Sequence, residues 1–265
     1  MGRIGAGIVA MMTKVGFKLL SVIIKFAKIG KVGFAIGTMI TYSYLFTWQF
    51  ALVLMISLFV HENGHIFMMR KCGMKVKGIY FIPFFGAAAV ADGEFPSPKD
   101  EACIAIMGPI WGLILAGFIF LIYEYTGNAF FGASAGWMAM MNLFNLLPIS
   151  PLDGGRIMKS VAFSVSSEAG LAFMIIGIFI FVFLTFWKGI ILFCALLLLA
   201  SLEFMFTYYK VKSGDGKCMK RFEPMSVKNV TLTVILYILV AAILWFLMTY
   251  VDGIPEVAIA KTIFM

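Results

Sequence analysis

The chain has 265 residues, of which 62% are hydrophobic and 13% charged, with a mean hydropathy of +1.01. A soluble globular domain carries about 25% charged residues, so this composition cannot cover a water-facing surface and excludes a soluble fold. The formal charge of +8 does not point to nucleic acid: the basic residues are dispersed between apolar spans, as in loops that face an anionic leaflet.

Residues 1–31 read as a basic amphipathic segment. Arg3, Lys14, Lys18, Lys25 and Lys28 fall within an arc of about 80° at 100° per residue, opposite Val, Ile, Leu and Phe. A helix of this kind lies in the plane of the interface on anionic lipid. The alternative is a cytosolic tail with scattered lysines. The segment has no compact apolar stretch ending in a cleavage site, so it does not read as a removed signal peptide.

Seven apolar stretches follow, near residues 32–48, 49–70, 102–123, 130–150, 169–187, 189–209 and 229–250. Most reach the roughly 20 residues needed to cross about 30 Å of hydrocarbon. The expected fold is therefore an all-α polytopic membrane protein of about seven transmembrane helices. Residues 32–250 form the membrane domain and 251–265 a short tail. With the N-terminus inside, the inner segments 1–31, 70–101, 151–168 and 210–228 hold nearly all Lys and Arg, leaving Lys188 and Lys261 outside. That is the positive-inside pattern, and it favours a multi-pass protein with a cytosolic N-terminus; the loops fit a plasma membrane, and an organelle membrane would read the same.

Two segments depart from simple spans. Gly78 to Ala91 is apolar but too short for a helical hairpin, and Pro83 and Gly86 interrupt it. It reads as an extended re-entrant piece, tolerable at membrane depth where protein or a water cavity satisfies its backbone; the alternative is an apolar loop resting on the interface. In the third stretch Gly108, Gly112 and Ala116 recur at four-residue intervals, a ridge for close helix packing, with Pro109 as a kink. The cysteines Cys72, Cys103, Cys194 and Cys218 form no close pair and read as reduced and structural.

The chemistry lies in His61-Glu62-Asn63-Gly64-His65, which contains both histidines of the chain. On a helix, residues i and i+4 share a face, so both imidazoles can converge on one metal ion. Glu62 falls beside that face, placed to take a proton from a metal-bound water, as in H-E-x-x-H zinc sites. A hydrolytic zinc keeps three protein ligands, and with no third histidine the third must be a carboxylate or a thiolate. Asp153, in Asn145-Leu-Leu-Pro-Ile-Ser-Pro-Leu-Asp153-Gly-Gly, falls on the same side of the membrane as His65, among prolines and glycines that break the helix. It reads either as that ligand or as the cap of the following helix. Arg70-Lys71 marks the inner interface, which puts His65 and His61 about 7 and 13 Å deeper. Glu203, within an apolar span about 10 Å along its helix from Lys210, reads as snorkelling or paired with a lysine in preference to lining a substrate path. Asp92 and Glu94 read as solvated loop residues.

These two motifs, in this order and in membrane context, resemble the site-2 protease family of intramembrane zinc metalloproteases, peptidase family M50. The resemblance covers a core from about 48 to 159 and includes Phe81-Ile-Pro-Phe-Phe-Gly86 and Gly108-Pro109. It implies one zinc per chain held by His61, His65 and Asp153, with Glu62 as general base. It implies a substrate-holding or oxyanion role for Asn145, with Asn142 less favoured, and a re-entrant strand that pairs with an unwound substrate. The expected reaction is hydrolysis of a transmembrane protein near the cytosolic side. The PDZ and CBS modules of many members are not recognisable here, and no regulatory membrane protein is named by these motifs. A metal-binding transporter or a catalytically silent scaffold using the same ligands is the alternative.

Overall fold

The computed structural model describes residues 30–82, 86–92, 95–188, 191–213 and 224–254. Nearly all of the basic segment expected over 1–31 lies outside them, as does most of the 251–265 tail. The elements in order are α1 (Gly30–Leu45), α2 (Trp48–Lys71), β1 (Lys75–Ile82), β2 (Gly86–Asp92), α3 (Pro98–Thr126), α4 (Ala129–Asn145), α5 (Asp153–Val165), α6 (Ser167–Lys188), α7 (Ile191–Ser213) and α8 (Val227–Asp252).

Local chemistry sets the helix boundaries. The Thr47 hydroxyl accepts from the Phe50 amide to open α2, which closes with Arg70 and Lys71 in its last turn, where cations oppose the helix dipole. Ser97 caps α3 by accepting from the Asp100 amide, with Pro98 in the first turn. Gly127, at φ +66°, ends α3 in the left-handed conformation that favours glycine.

Four helices are long and apolar enough to cross a membrane among the described residues: Trp48–Lys71, Pro98–Thr126, Ser167–Leu184 within α6, and Val227–Asp252. The chain therefore builds a polytopic membrane protein. Helix α1, with 16 residues, and α4, with 17, fall short of the roughly 20 that a perpendicular crossing needs. Leu232, Ile235, Ile238, Trp245 and Phe246 on α8 are exposed, as lipid-facing side chains are. The core joins α2, α3, α4 and α8 through Phe50, Val53, Ala105, Ala116, Ala133, Ala139 and Leu244. Its many alanines fit membrane packing, where close backbone approach replaces a hydrophobic driving force.

The expected all-α class needs one amendment. The segment expected as a single extended piece over 78–91 is an antiparallel hairpin in which Ile79 pairs with Ala89 and Tyr80 with Ala88. A lone extended strand would leave both of its polar edges unpaired, and doubling back satisfies one of them. The hairpin packs between α1 and α2. At its open end Lys77 meets Asp92 at 3.0 Å. Near its tip a Cβ on Gly86 would lie 3.5 Å from Leu58, a residue about 20 Å along α2 from Lys71. Lys31 donates to the Lys77 carbonyl and stands over the Tyr80 ring.

Cys72 and Cys103 are free. Burial and the Asp100 carboxylate push the Cys72 thiol up to about 11, which disfavours its reactive thiolate form.

Candidate metal centre

His61 and His65 are one turn apart on α2, and both are buried. Their rings are held from behind. His61 Nδ1 donates to Asn142 Oδ1 at 2.8 Å, an assignment supported by Asn142 Nδ2 donating to the Met138 carbonyl at 2.8 Å. His65 Nδ1 donates to the Ile104 carbonyl at 2.8 Å. With both Nδ1–H groups spent on acceptors, each Nε2 presents a lone pair, the tautomer a metal ligand needs.

Those lone pairs meet Asp153. Its Oδ2 lies 3.0 Å from His61 Nε2 and 3.2 Å from His65 Nε2, and the two Nε2 atoms are 3.1 Å apart. A tetrahedral zinc with bonds of roughly 2.0–2.1 Å sets its ligands about 3.3 Å apart, so a small inward closure of the ion's shell describes this triangle. The donor set also fits by chemistry: two neutral imidazoles and a carboxylate, all buried, suit zinc better than the hard oxygen-seeking cations. His61, His65 and Asp153 lie close enough to hold a metal ion.

The backbone around Asp153 explains its position. After α4 ends, the chain turns through Leu146–Leu152 and restarts as α5 with Asp153 in its first turn, where the helix dipole favours an anion. Burial raises the pKa of this carboxylate, but His65 and His61 outweigh burial and hold it well below the usual range. A Cβ on Gly154 would fall 2.1 Å from the Leu146 carbonyl oxygen, and one on Gly155 would fall 2.2 Å from the Ile149 and Ser150 backbone. Only bare backbone lets this turn fold so tightly against its own helix.

The small-residue ridge of α3 does more than pack helices. A Cβ on Gly108 would sit 2.3 Å from His65 Nε2, and one on Gly112 would sit 1.9 Å from Asn142 Oδ1. On α2, a Cβ on Gly64 would reach 2.5 Å from the Met107 carbonyl. Gly108 and Gly112 leave the space that the two rings and the Asn142 amide occupy, and Gly64 lets the α3 backbone approach α2.

Glu62 is 7% exposed, and its Oε2 accepts from the Ala89 amide at 2.6 Å. The β2 strand therefore turns one N–H away from β1 and into the site. By strand alternation, Ala87 points its backbone groups to that same free edge. A cleft of about 530 Å³ joins His61, Glu62, His65, Ala87, Ala88, Ala89, Asn145, Asp153 and Arg156, and Leu196, Leu198 and Leu199 of α7 also line it.

Of the residues singled out from the sequence, His61, Glu62, His65, Asn145 and Asp153 line this cleft, Asp92 ends β2 instead of lying in a loop, and Glu94 lies outside the described residues. Asn145 lines the cleft, while Asn142 is fully buried behind His61. Glu203 has its lysine: Lys159, at 2.6 Å. Lys159 also meets Glu101 at 2.8 Å, and Glu203 accepts from the Ser150 hydroxyl. Burial lowers the Lys159 pKa, but Glu101 and Glu203 outweigh it and raise the group above its ordinary value. Sequence reasoning missed Arg156, three residues after Asp153 on the same face of α5. No carboxylate among the described residues pairs with it, and it lies over the Phe95 ring. The i, i+3 spacing from Asp153 was the signal that could have found it.

Residues 49–133 match peptidase family M50. Rip3 of Mycobacterium tuberculosis, named as a zinc metalloprotease, is 37% identical over 118 residues, 42% of this chain and 30% of that protein. A zinc metalloprotease of Methanocaldococcus jannaschii is 28% identical over 131 residues, 48% of this chain and 38% of that protein. The matched stretch spans about a third of these relatives' own length. A solved site-2 protease from M. jannaschii covers 73% of this chain and 88% of its own, at 21% identity and a TM-score of 0.47. The matched stretch is thus similar to peptidase family M50 and to proteins named as zinc metalloproteases.

Proposed function

We propose that the chain is an intramembrane zinc endopeptidase that hydrolyses a peptide bond of a transmembrane protein near the cytosolic side of the membrane. One observation carries this reading: two imidazoles with anchored Nδ1 atoms and a buried carboxylate converge in a cleft that a strand edge also lines. His61, His65 and Asp153 would hold the ion. Zinc bound there supplies Lewis acidity, making water a competent nucleophile at neutral pH and polarising the scissile carbonyl.

The chain's own groups do the rest. Glu62 takes a proton from the attacking water and returns it to the departing amine, so that one peptide bond and one water become a carboxylate and an amine. The Ala89 amide fixes one Glu62 oxygen and leaves the other for the proton. Asn145, on the cleft wall, donates to the carbonyl oxygen as it gains negative charge. A substrate helix hides its carbonyls in intrahelical bonds and must open first. The free edge of β2 offers backbone groups that pair with the opened segment and replace the bonds lost.

The membrane setting follows the same reading. The chain crosses about seven times, within residues 32–250, and sits in the plasma membrane with a cytosolic N-terminus. The basic N-terminal segment rests on anionic lipid. The deciding experiment combines zinc analysis with comparative membrane proteomics of wild type and Glu62→Gln. The variant should keep one zinc per chain and accumulate uncut membrane proteins; cleavage at the wild-type rate would sink the assignment.

A further inference from the structure

A second cavity lies between α2 and α4, outward of the metal centre. Phe50, Val53, Leu54, Met138 and Phe144 enclose about 290 Å³ together with Ser57 and Trp137. Among the described residues, the buried side-chain nitrogen and oxygen atoms with no hydrogen-bond partner are Ser57 Oγ and Trp137 Nε1, and both residues line this cavity. Ser57 is 1% exposed. Helical hydroxyls elsewhere in the chain bond the carbonyl four residues back, as Thr38, Thr41, Ser134, Ser160 and Ser201 do. Ser57 does not make that bond.

Leaving a buried donor unpaired is costly, and an indole N–H can only donate. The occupant must therefore bring an acceptor, and the apolar, uncharged walls require it to be neutral and otherwise apolar. Depth narrows the choice. Ser57 lies about 21 Å from Lys71 and about 13 Å from Trp48 along the helix, well inside the hydrocarbon and below the ester carbonyls of lipid. An intact transmembrane helix has no spare carbonyl at that depth, whereas a helix opened beside the metal centre does. Ser57 precedes His61 by four residues, so the cavity adjoins the metal on the same face of α2.

We propose that this cavity is a substrate subsite. It takes an apolar side chain and the adjoining backbone carbonyl released when a transmembrane segment unwinds, with Trp137 Nε1–H and Ser57 Oγ–H donating to that carbonyl. The proposal rests on the function given above, and its test does not use proteolysis. Glu62→Gln protein in nanodiscs is mixed with a leucine-rich single-span peptide carrying a Gly-Pro break at the depth of His61. A diazirine leucine is placed one turn outward of the break, and an unbroken peptide serves as the control. Irradiation should label cavity residues such as Met138 with the broken peptide and several-fold less with the unbroken one. Adding Trp137→Phe or Ser57→Ala should lower labelling roughly threefold to tenfold, the worth of one neutral hydrogen bond, with zinc content and thermal midpoint unchanged. Equal labelling by the two peptides, labelling indifferent to both substitutions, or labelling by a photoreactive phospholipid that the peptide does not displace would overturn it. Cavity labelling in a protein whose wild type cuts no membrane protein would separate failure of the function from failure of the subsite.

Discussion

Two buried polar clusters are built on α5, and they are completed in opposite ways. Around Lys159, one ammonium sits between the Glu101 and Glu203 carboxylates, and the Ser150 hydroxyl adds a donor. Each of these four side chains has a partner from the chain itself. Around Asp153, three ligand atoms crowd within 3.2 Å of one another, and none brings a cation. The first cluster is a closed joint; the second is a socket.

If that contrast holds, the largest effect belongs to the socket. Asp153→Ala should drop zinc from one per chain to near zero by elemental analysis, because two neutral imidazoles hold the ion poorly without the carboxylate. Full stoichiometry in the variant would remove Asp153 from the ligand set. Lys159→Met should leave the metal site's own ligands intact yet cost about 3–5 kcal/mol of stability, since it strands two buried carboxylates. A thermal midpoint in detergent that falls sharply, and recovers when Glu101→Gln and Glu203→Gln are added, is the expected pattern. A midpoint that does not move would show that the joint is hydrated and contributes little.

Asn145 should matter less, and only to the reaction. Asn145→Ala is expected to lower kcat on a reconstituted membrane substrate by about 10²–10³, the worth of one oxyanion donor, with zinc content unchanged. Loss of zinc would instead make it a structural residue of the socket.

How much of this was legible beforehand depended on whether the partner was local. The i, i+4 geometry of a helix put His61 and His65 together, and the Pro- and Gly-rich turn before α5 put Asp153 within reach. The extended character of 78–91 was legible from its proline and glycine, but its doubling into a hairpin was not, because strand pairing is set by backbone closure and not by composition. Glu203 was expected to find a lysine. That lysine is Lys159, 44 residues earlier, and no periodicity encodes such a meeting. The Gly108–Gly112–Ala116 ridge was read as helix packing, and its second purpose appeared only once the rings lay against it. The basic face expected over the first 31 residues falls almost wholly outside the described structure.

The smallest effect separates two asparagines three residues apart. Asn145 faces the cleft, whereas Asn142 spends its oxygen on His61 Nδ1 and one N–H on the Met138 carbonyl and is fully buried, so its amide does not reach a substrate. Its purpose is to fix the His61 tautomer. Partners of this kind are worth about 10–100-fold in metal affinity, so Asn142→Ala should weaken zinc binding by that factor in a chelator competition. Asn142→Asp supplies an acceptor of the same shape and should restore most of the loss. If alanine and aspartate behave alike, the amide acts through packing in the space opened by Gly112, and the hydrogen bond to His61 is incidental. If aspartate alone rescues, the socket depends on a residue that donates nothing to the metal, in contrast to the Lys159 joint, where every contributing group touches its ionic partner directly.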